Sequence, residues 1–436
     1  MPQTPTDPQR EVVDICRELL RIDTTNLGGN QGKGERAAAE YVEGLLQEVG
    51  LATTLLEAAP GRASVVTRIP GRDPSRGALL LHGHLDVVPA HAPDWSADPF
   101  GGEERDGCLW GRGAVDMKDM DAMILASVRH LVSTGRQPER DVVVALMADE
   151  EAGGDYGARF LVRQHPHLFA GVTEAVSEVG GFSVDLRGRR AYLVQTAEKG
   201  MAWLRLTATG RAGHGSQVND DNAVTRLAQA VARIGTHPWP LEITPTVRAF
   251  LDGVEEITGI RLDPADPDQL VDVLGSVARF VGATLRTTVN PTALDAGYKH
   301  NVVPGSATAL LDARFLPGRE EALMDTVREL AGEGVSVDVD QHGVSVEAPF
   351  DTPLVAAMTD SLLAEDPDAV VLPYCLSAGT DNKSFSELGI VGYGFAPLRL
   401  PADLDFAGMF HGVDERVPLD ALRFGERVLR RFVTSA

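Results

Sequence analysis

Apolar residues recur along this chain with a helical period in some stretches and as short strand-like runs in others. Val12, Val13, Ile15, Cys16, Leu19 and Leu20 share one helical face, so residues 9 to 21 are expected to form a helix. A second helix is expected from about Glu35 to Val49, with Gly50 as its stop. LATTLLE and ASVVTRI, joined by AAPGR, read as adjacent strands. Leu79, Leu80 and Leu81 close a buried strand that runs into HGHLDVVP. A long loop rich in Pro, Gly and Asp follows at 89 to 115. Next come a helix over about 116 to 133, a strand at 141 to 148, a helix at 155 to 164 and a strand at 172 to 177. This repeated order predicts an α/β fold: a twisted, largely parallel sheet flanked by helices on both faces.

From about Gln195 the texture changes. WLRLTATG alternates like an antiparallel strand with one wet face. A helix is expected at 222 to 235, one more near 268 to 281 inside a proline-containing stretch, then the strand SATALLDARF, a helix at 319 to 332 and a strand at 335 to 340. This is the pattern of an inserted α+β unit. AVVLPY, a helix near 381 to 388, IVGYGF and a helix at 418 to 434 return to α/β texture. The expected organisation is a catalytic domain at 1–196, an inserted lid and dimerisation domain at 197–346, and the second half of the catalytic domain at 347–436.

Bulk composition narrows the partners. Forty basic against 63 acidic residues leave a net charge of −23, which argues against nucleic acid or an anionic membrane. No apolar run reaches membrane-span length, and Met1–Arg10 is polar, without a signal-peptide core. Cys16, Cys108 and Cys375 are far apart and odd in number, so they read as free thiols of a cytoplasmic protein.

The candidate chemistry sits at strand ends. His84 and Asp86 follow the first buried strand, Glu150 and Glu151 the next, and Glu178 the third, while Asp116 opens the helix after the long loop. In an open α/β sheet ligands bind outside the carboxyl ends of the strands. Histidine with several carboxylates is a donor set that zinc accepts, and two zincs can share one carboxylate. Each residue also admits a structural role: a solvated acidic turn at Glu150–Glu151, a helix cap at Asp116, a lysine partner for Glu178.

The segments HGHLDVVP, GRGAVDMKD, ADEEAGG, SEVGG and HGVDERV, in that order over nearly the whole chain, resemble the co-catalytic di-zinc peptidase/amidohydrolase family of aminoacylases, glutamate carboxypeptidases, dipeptidases and succinyl-diaminopimelate desuccinylase. The resemblance implies two zinc ions per subunit, with cobalt or manganese as substitutes. His84, Asp116 and Glu178 would hold one; Asp116, Glu151 and His411 would hold the other, Asp116 bridging. It makes Glu150 the general base and gives Asp86 the task of orienting His84. It makes His214, in GRAGHGS, an oxyanion donor that reaches the site of the other subunit in a homodimer. Arg314, in LDARFLPG, would grip the substrate's free carboxylate, with Asn301 of HNVVPG nearby and Gly379 and Thr380 lining the site. Asp381 reads as a ligand-loop residue or a cap, and His82, Lys118 and His300 as structural. One departure stands out: Asp119 and Met120 follow Lys118 where the family often has two glycines. The implied activity is hydrolysis of N-acyl-L-amino acids to a carboxylate and a free amino acid. The alternative is a metallo-carboxypeptidase or dipeptidase acting on short peptides. A phosphoesterase would want a basic phosphate cradle, and a non-catalytic scaffold would lack a ligand or the base; neither departure is present.

Overall fold

Every residue of the strand Ala78–His84 is buried, and its side chains divide between two cores. Leu79 and Leu81 join one apolar cluster and Ala78 and Leu80 the other. Val142–Met147 divides in the same way: Val142, Val144 and Leu146 on one side, Val143, Ala145 and Met147 on the other. Strands buried on both faces need helices on both faces. The computed structural model describes residues 6–436, so part of Met1–Arg10 lies outside the described residues.

These two strands and Val172–Ser177 are parallel neighbours, with Ala78–His84 in the middle. Val391–Gly394 extends the parallel centre beyond Val172–Ser177. On the opposite flank Arg62–Ile69 and Thr53–Ala59 add antiparallel strands. Beyond Val391–Gly394 lies Arg189–Glu198, which pairs antiparallel with Phe182–Leu186 and parallel with Val370–Leu376. The ten-stranded sheet is therefore mixed, parallel at its centre and antiparallel at its flanks.

The helices Pro8–Arg21, Arg36–Glu48, Lys118–Ser133 and Leu419–Ser435 cover one face. Ala158–Gln164 and Asn382–Ser386 cover the other. Asp7 caps the first helix by accepting from the backbone of Gln9, with Pro8 at the position where its missing N–H costs nothing.

A second sheet holds four antiparallel strands in the order Thr288–Ala296, Ser306–Phe315, Gly200–Thr209, Val335–Gly343. Ala202, Leu204, Leu206 and Ala208 point to one side, where the helices Ala223–Gly235 and Glu320–Ala331 seal them in a separate core. Met201, Trp203 and Arg314 stand on the bare face.

The stretch 236 to 290 differs from expectation. It holds three helices: Pro245–Thr258, Pro267–Leu274 and Ala278–Thr284. The unexpected one begins at Thr244–Pro245, where the threonine hydroxyl accepts from Val247 and proline occupies the first turn. A proline that reads as a loop signal is here a helix start. Val247, Phe250, Val254, Val273 and Val281 belong to the core of the large sheet, so this part of the 197–346 segment packs away from the small sheet. Cys16 and Cys375 are buried, Cys108 is half-buried, and all three are free.

Candidate active site

The three central parallel strands end side by side, so His84, the Glu150–Glu151 turn and Glu178 emerge at one edge. Asp116 arrives from the long loop. Its helix begins only at Lys118, so Asp116 is not a helix cap. The fully buried Glu415 sets the loop's path: it accepts from Arg112 Nη1 at 2.8 Å, from the Gly113 N–H at 3.0 Å and from the Val115 N–H at 2.8 Å. Four residues upstream of Glu415, His411 stands half-exposed in left-handed backbone, φ 56°.

Asp116 divides its two oxygens. Oδ1 lies 3.2 Å from His84 Nε2, and Oδ2 lies 3.2 Å from His411 Nε2. His84 Nε2 is also 3.5 Å from Glu178 Oε2, and His411 Nε2 is 3.1 Å from Glu151 Oε2. Two trios result, His84–Asp116–Glu178 and Asp116–Glu151–His411, each with donor atoms within 4.8 Å of one another. Donors on a tetrahedral zinc at about 2.0–2.1 Å stand roughly 3.3 Å apart, so these separations fit a cation at each trio. One buried oxygen of Glu151, Oε1, has no protein partner.

Without a cation, protons balance the charge. Burial pushes the Glu150 carboxyl well up, and Glu178 beside it pushes further. Burial raises Glu178 to about 8, against the pull of His84, and raises Glu151 with help from Asp116. Burial alone would lower His84, but Glu178, Asp116 and Asp86 outweigh it and hold the imidazole well above its usual value. Hydrogen bonds to Asp116 and Glu151 raise His411 to about 10. Burial opposes the ionisation of Asp116, yet its two histidines hold it below the usual carboxylate range.

Other expected residues fall in several places. The carbonyl of Asp86, 3.0 Å away, faces His84 Nδ1, while its carboxylate, at 3.5 Å, accepts the Glu150 and Glu151 N–H groups at 3.1 Å each. Asp86 therefore orients the acidic turn as well as the histidine. Arg314, Gly379, Thr380 and Asp381 line a cleft of about 470 Å³ together with Glu150, Glu151 and His411. Arg314 gives Nε and Nη2 to Asp312 at 2.7 and 3.1 Å, leaving Nη1 for a ligand. Thr380 spends both its N–H and its hydroxyl on the buried Glu198. His214 and Asn301 stand elsewhere: both are exposed on a ribbon where Gly215 donates to the Asn301 carbonyl at 2.9 Å, and neither lines this cleft. Asp119 is buried with Oδ1 unpartnered, and burial pushes its carboxyl well above the usual carboxylate range. His82 is buried against Asn382, Lys118 donates to the Leu19 and Ile22 carbonyls, and His300 is exposed.

The sequence reading passed over Asn26 and Arg62. Asn26 donates to both Asp86 and Asp149 and accepts from the buried Arg62. Only the Asn-x-Gly spacing hinted at it: Gly28 N–H closes a turn on the Asn26 side chain.

A carboxylate shared by two histidine-carboxylate trios, at the strand ends of an α/β sheet and beside a cleft lined by the second sheet, is the site of a metal-dependent hydrolase. A family model described as peptidase family M20/M25/M40 matches residues 80–435, and the chain belongs to that family. Aminoacylase-1 of Homo sapiens is 30% identical over 417 residues, covering 93% of this chain and 90% of that protein. The M20 family metallo-carboxypeptidase Sso-CP2 from Sulfolobus solfataricus shares the fold with a TM-score of 0.72 at 18% identity, covering 97% of this chain and 98% of that one. Human carnosine dipeptidase 1 shares it with a TM-score of 0.66 at 15% identity, covering 98% and 96%.

Proposed function

We propose that this protein hydrolyses the amide bond of N-acyl-L-amino acids, releasing a carboxylate and a free amino acid. The observation that carries the chemistry is the split Asp116 carboxylate, one oxygen toward each trio. The likeness to aminoacylase-1 over nearly the whole length supports the substrate class. Two zinc ions suit the trios, whose histidine nitrogens stand 3.1–3.5 Å from the neighbouring carboxylate oxygens. When bound, such ions supply Lewis acidity toward the scissile carbonyl and acidify water.

The chain's own groups do the rest. Glu150, beside both trios and of high proton affinity, takes a proton from the attacking water. The carbonyl carbon gains the new C–O bond, the C–N bond breaks, and Glu150 returns its proton to the leaving nitrogen. Arg314 holds the carboxylate of the amino-acid half through Nη1, while Asp312 fixes the plane of its fork. His214, exposed with Nδ1 2.8 Å from Ser216 Oγ, serves the site of a second copy in a homodimer, and Asn301 stands beside it. The open edge of Thr288–Ala296 offers the dimer a strand to extend. No helix among the described residues is long and apolar enough to cross a membrane. The free thiols of Cys16, Cys108 and Cys375 support a place in the cytoplasm.

The test is a ninhydrin assay of zinc-loaded protein on an N-acetyl-L-amino acid, its carboxyl amide and a dipeptide, with chelator-treated protein as control. Cleavage of the first alone supports the reading. Cleavage of the dipeptide instead moves the substrate class to short peptides. Equal cleavage of the carboxyl amide removes Arg314 as the anchor.

A further inference from the structure

We propose that Asn26 is a positioning residue for the metal and base carboxylates, locked in place by a buried Arg62–Glu35 ion pair. Asn26 lies on the segment 24 to 26, which runs alongside the strand end that carries Asp86: Thr25 bridges Val87, and the Asn26 N–H donates to the Val87 carbonyl at 2.9 Å. Its side chain is buried and uses its full hydrogen-bonding capacity. The amino group donates to Asp86 Oδ2 at 2.9 Å and to Asp149 Oδ1 at 3.0 Å. The carbonyl accepts from the Gly28 N–H at 3.0 Å and from Arg62 Nη2 at 2.9 Å. The two donors behind it fix which way the amide faces.

The two carboxylates it joins repel each other, and both govern the Glu150–Glu151 turn. Asp86 accepts the N–H of each glutamate at 3.1 Å. Asp149, directly before them, sits in left-handed backbone at φ 69°, a region that a non-glycine residue keeps only when its surroundings hold it there. The clamps on Asp149 are Asn26 on one oxygen and the Tyr156 N–H, at 3.0 Å, on the other. One neutral amide thus sets the direction in which Glu150 and Glu151 leave the backbone.

Arg62 is 1% exposed; Nη1 pairs with the fully buried Glu35, and Nη2 also donates to the Gln31 carbonyl at 2.8 Å. Its charge is satisfied away from the metal trios, which leaves its other arm to hold Asn26. Asp86 lies one amide further on, so the guanidinium never meets the cluster directly.

The inference rests on Glu151 as a ligand and Glu150 as the base. Zinc affinity, read without substrate, separates it from the choice of substrate. In Asn26→Ala, competition with a chromophoric chelator should show zinc bound about 10–100-fold more weakly. On whichever substrate the parent enzyme turns over, kcat should fall by a similar factor with KM nearly constant. Asn26→Asp should lose more, because it sets a third carboxylate against two. The double variant Arg62→Met/Glu35→Gln removes the ion pair without stranding a buried charge. It leaves the amide unpinned and should weaken zinc several-fold. Folded Asn26→Ala with parental zinc affinity and kcat would overturn the proposal, whatever its thermal stability. Parental affinity and kcat in the double variant would overturn the role of Arg62.

Discussion

Loading the site with zinc should expel about two protons per chain at neutral pH. In the metal-free protein His411 is raised to about 10 by its hydrogen bonds to Asp116 and Glu151, and Glu178 to about 8 by burial. His84 stands well above its usual value because three carboxylates outweigh its burial. At pH 7 His411 holds one proton and the coupled His84–Glu178 pair holds another between them, and both must leave before the donor atoms can bind a cation. Filling both trios should therefore become roughly a hundredfold more favourable for each pH unit gained near neutrality, and acid should oppose binding. Calorimetric titration of chelator-stripped protein, repeated in buffers of one pH but different ionisation enthalpies, counts the protons directly. Release of less than one proton with both trios filled would show that neighbouring carboxylates do not hold these histidines protonated.

Three further outcomes are expected. Glu150→Gln keeps every donor of both trios, so zinc binding by chelator competition should persist while kcat falls by about 10²–10⁴; turnover within tenfold of the parent would remove Glu150 as the base. Glu415→Ala strands the buried Arg112 guanidinium and frees two loop N–H groups, at a cost of about 3–5 kcal/mol in urea unfolding; a loss under about 1 kcal/mol would show that the loop before Asp116 is held by other contacts. Lys199 is 1% exposed, with its ammonium on the Ala283 and Arg286 carbonyls at 2.9 Å, and burial lowers it to about 8 from the ordinary 10.5. The unfolded chain holds that proton more tightly, so the penalty is full below pH 8 and is relieved as pH rises to 10.5. Stability should therefore rise over that window in the parent, and Lys199→Met should flatten this part of the rise; the same slope in both would show that Lys199 is not the titrating group.

What could be read from the sequence follows from how far each signal reaches along the chain. The continuous apolar runs at Leu79–Leu81 and Val142–Met147 are local, and they place strand ends where residue type then names candidate chemistry; His84, Glu151 and Glu178 are legible for that reason. His411 carries no such pattern. It stands in left-handed backbone on a loop, with its imidazole against Asp116 and Glu151, and only the likeness of HGVDERV to a family segment marks it. The helix Pro245–Thr258 is not legible because proline signals both a loop and a helix start, and the apolar face that decides between them packs on the large sheet. Asn26 and Arg62 are the hardest case, for their side-chain partners lie 27 to 123 positions away. A polar residue among glycines predicts exposure, yet a buried charge must be paired wherever the chain permits, and that pairing leaves no period to detect. Local pattern therefore finds groups that touch a ligand at strand ends, and it is blind to the buried polar groups that aim them. In this chain that second set runs from Glu35 through Arg62 and Asn26 to Asp86, and it ends on the backbone of the Glu150–Glu151 turn.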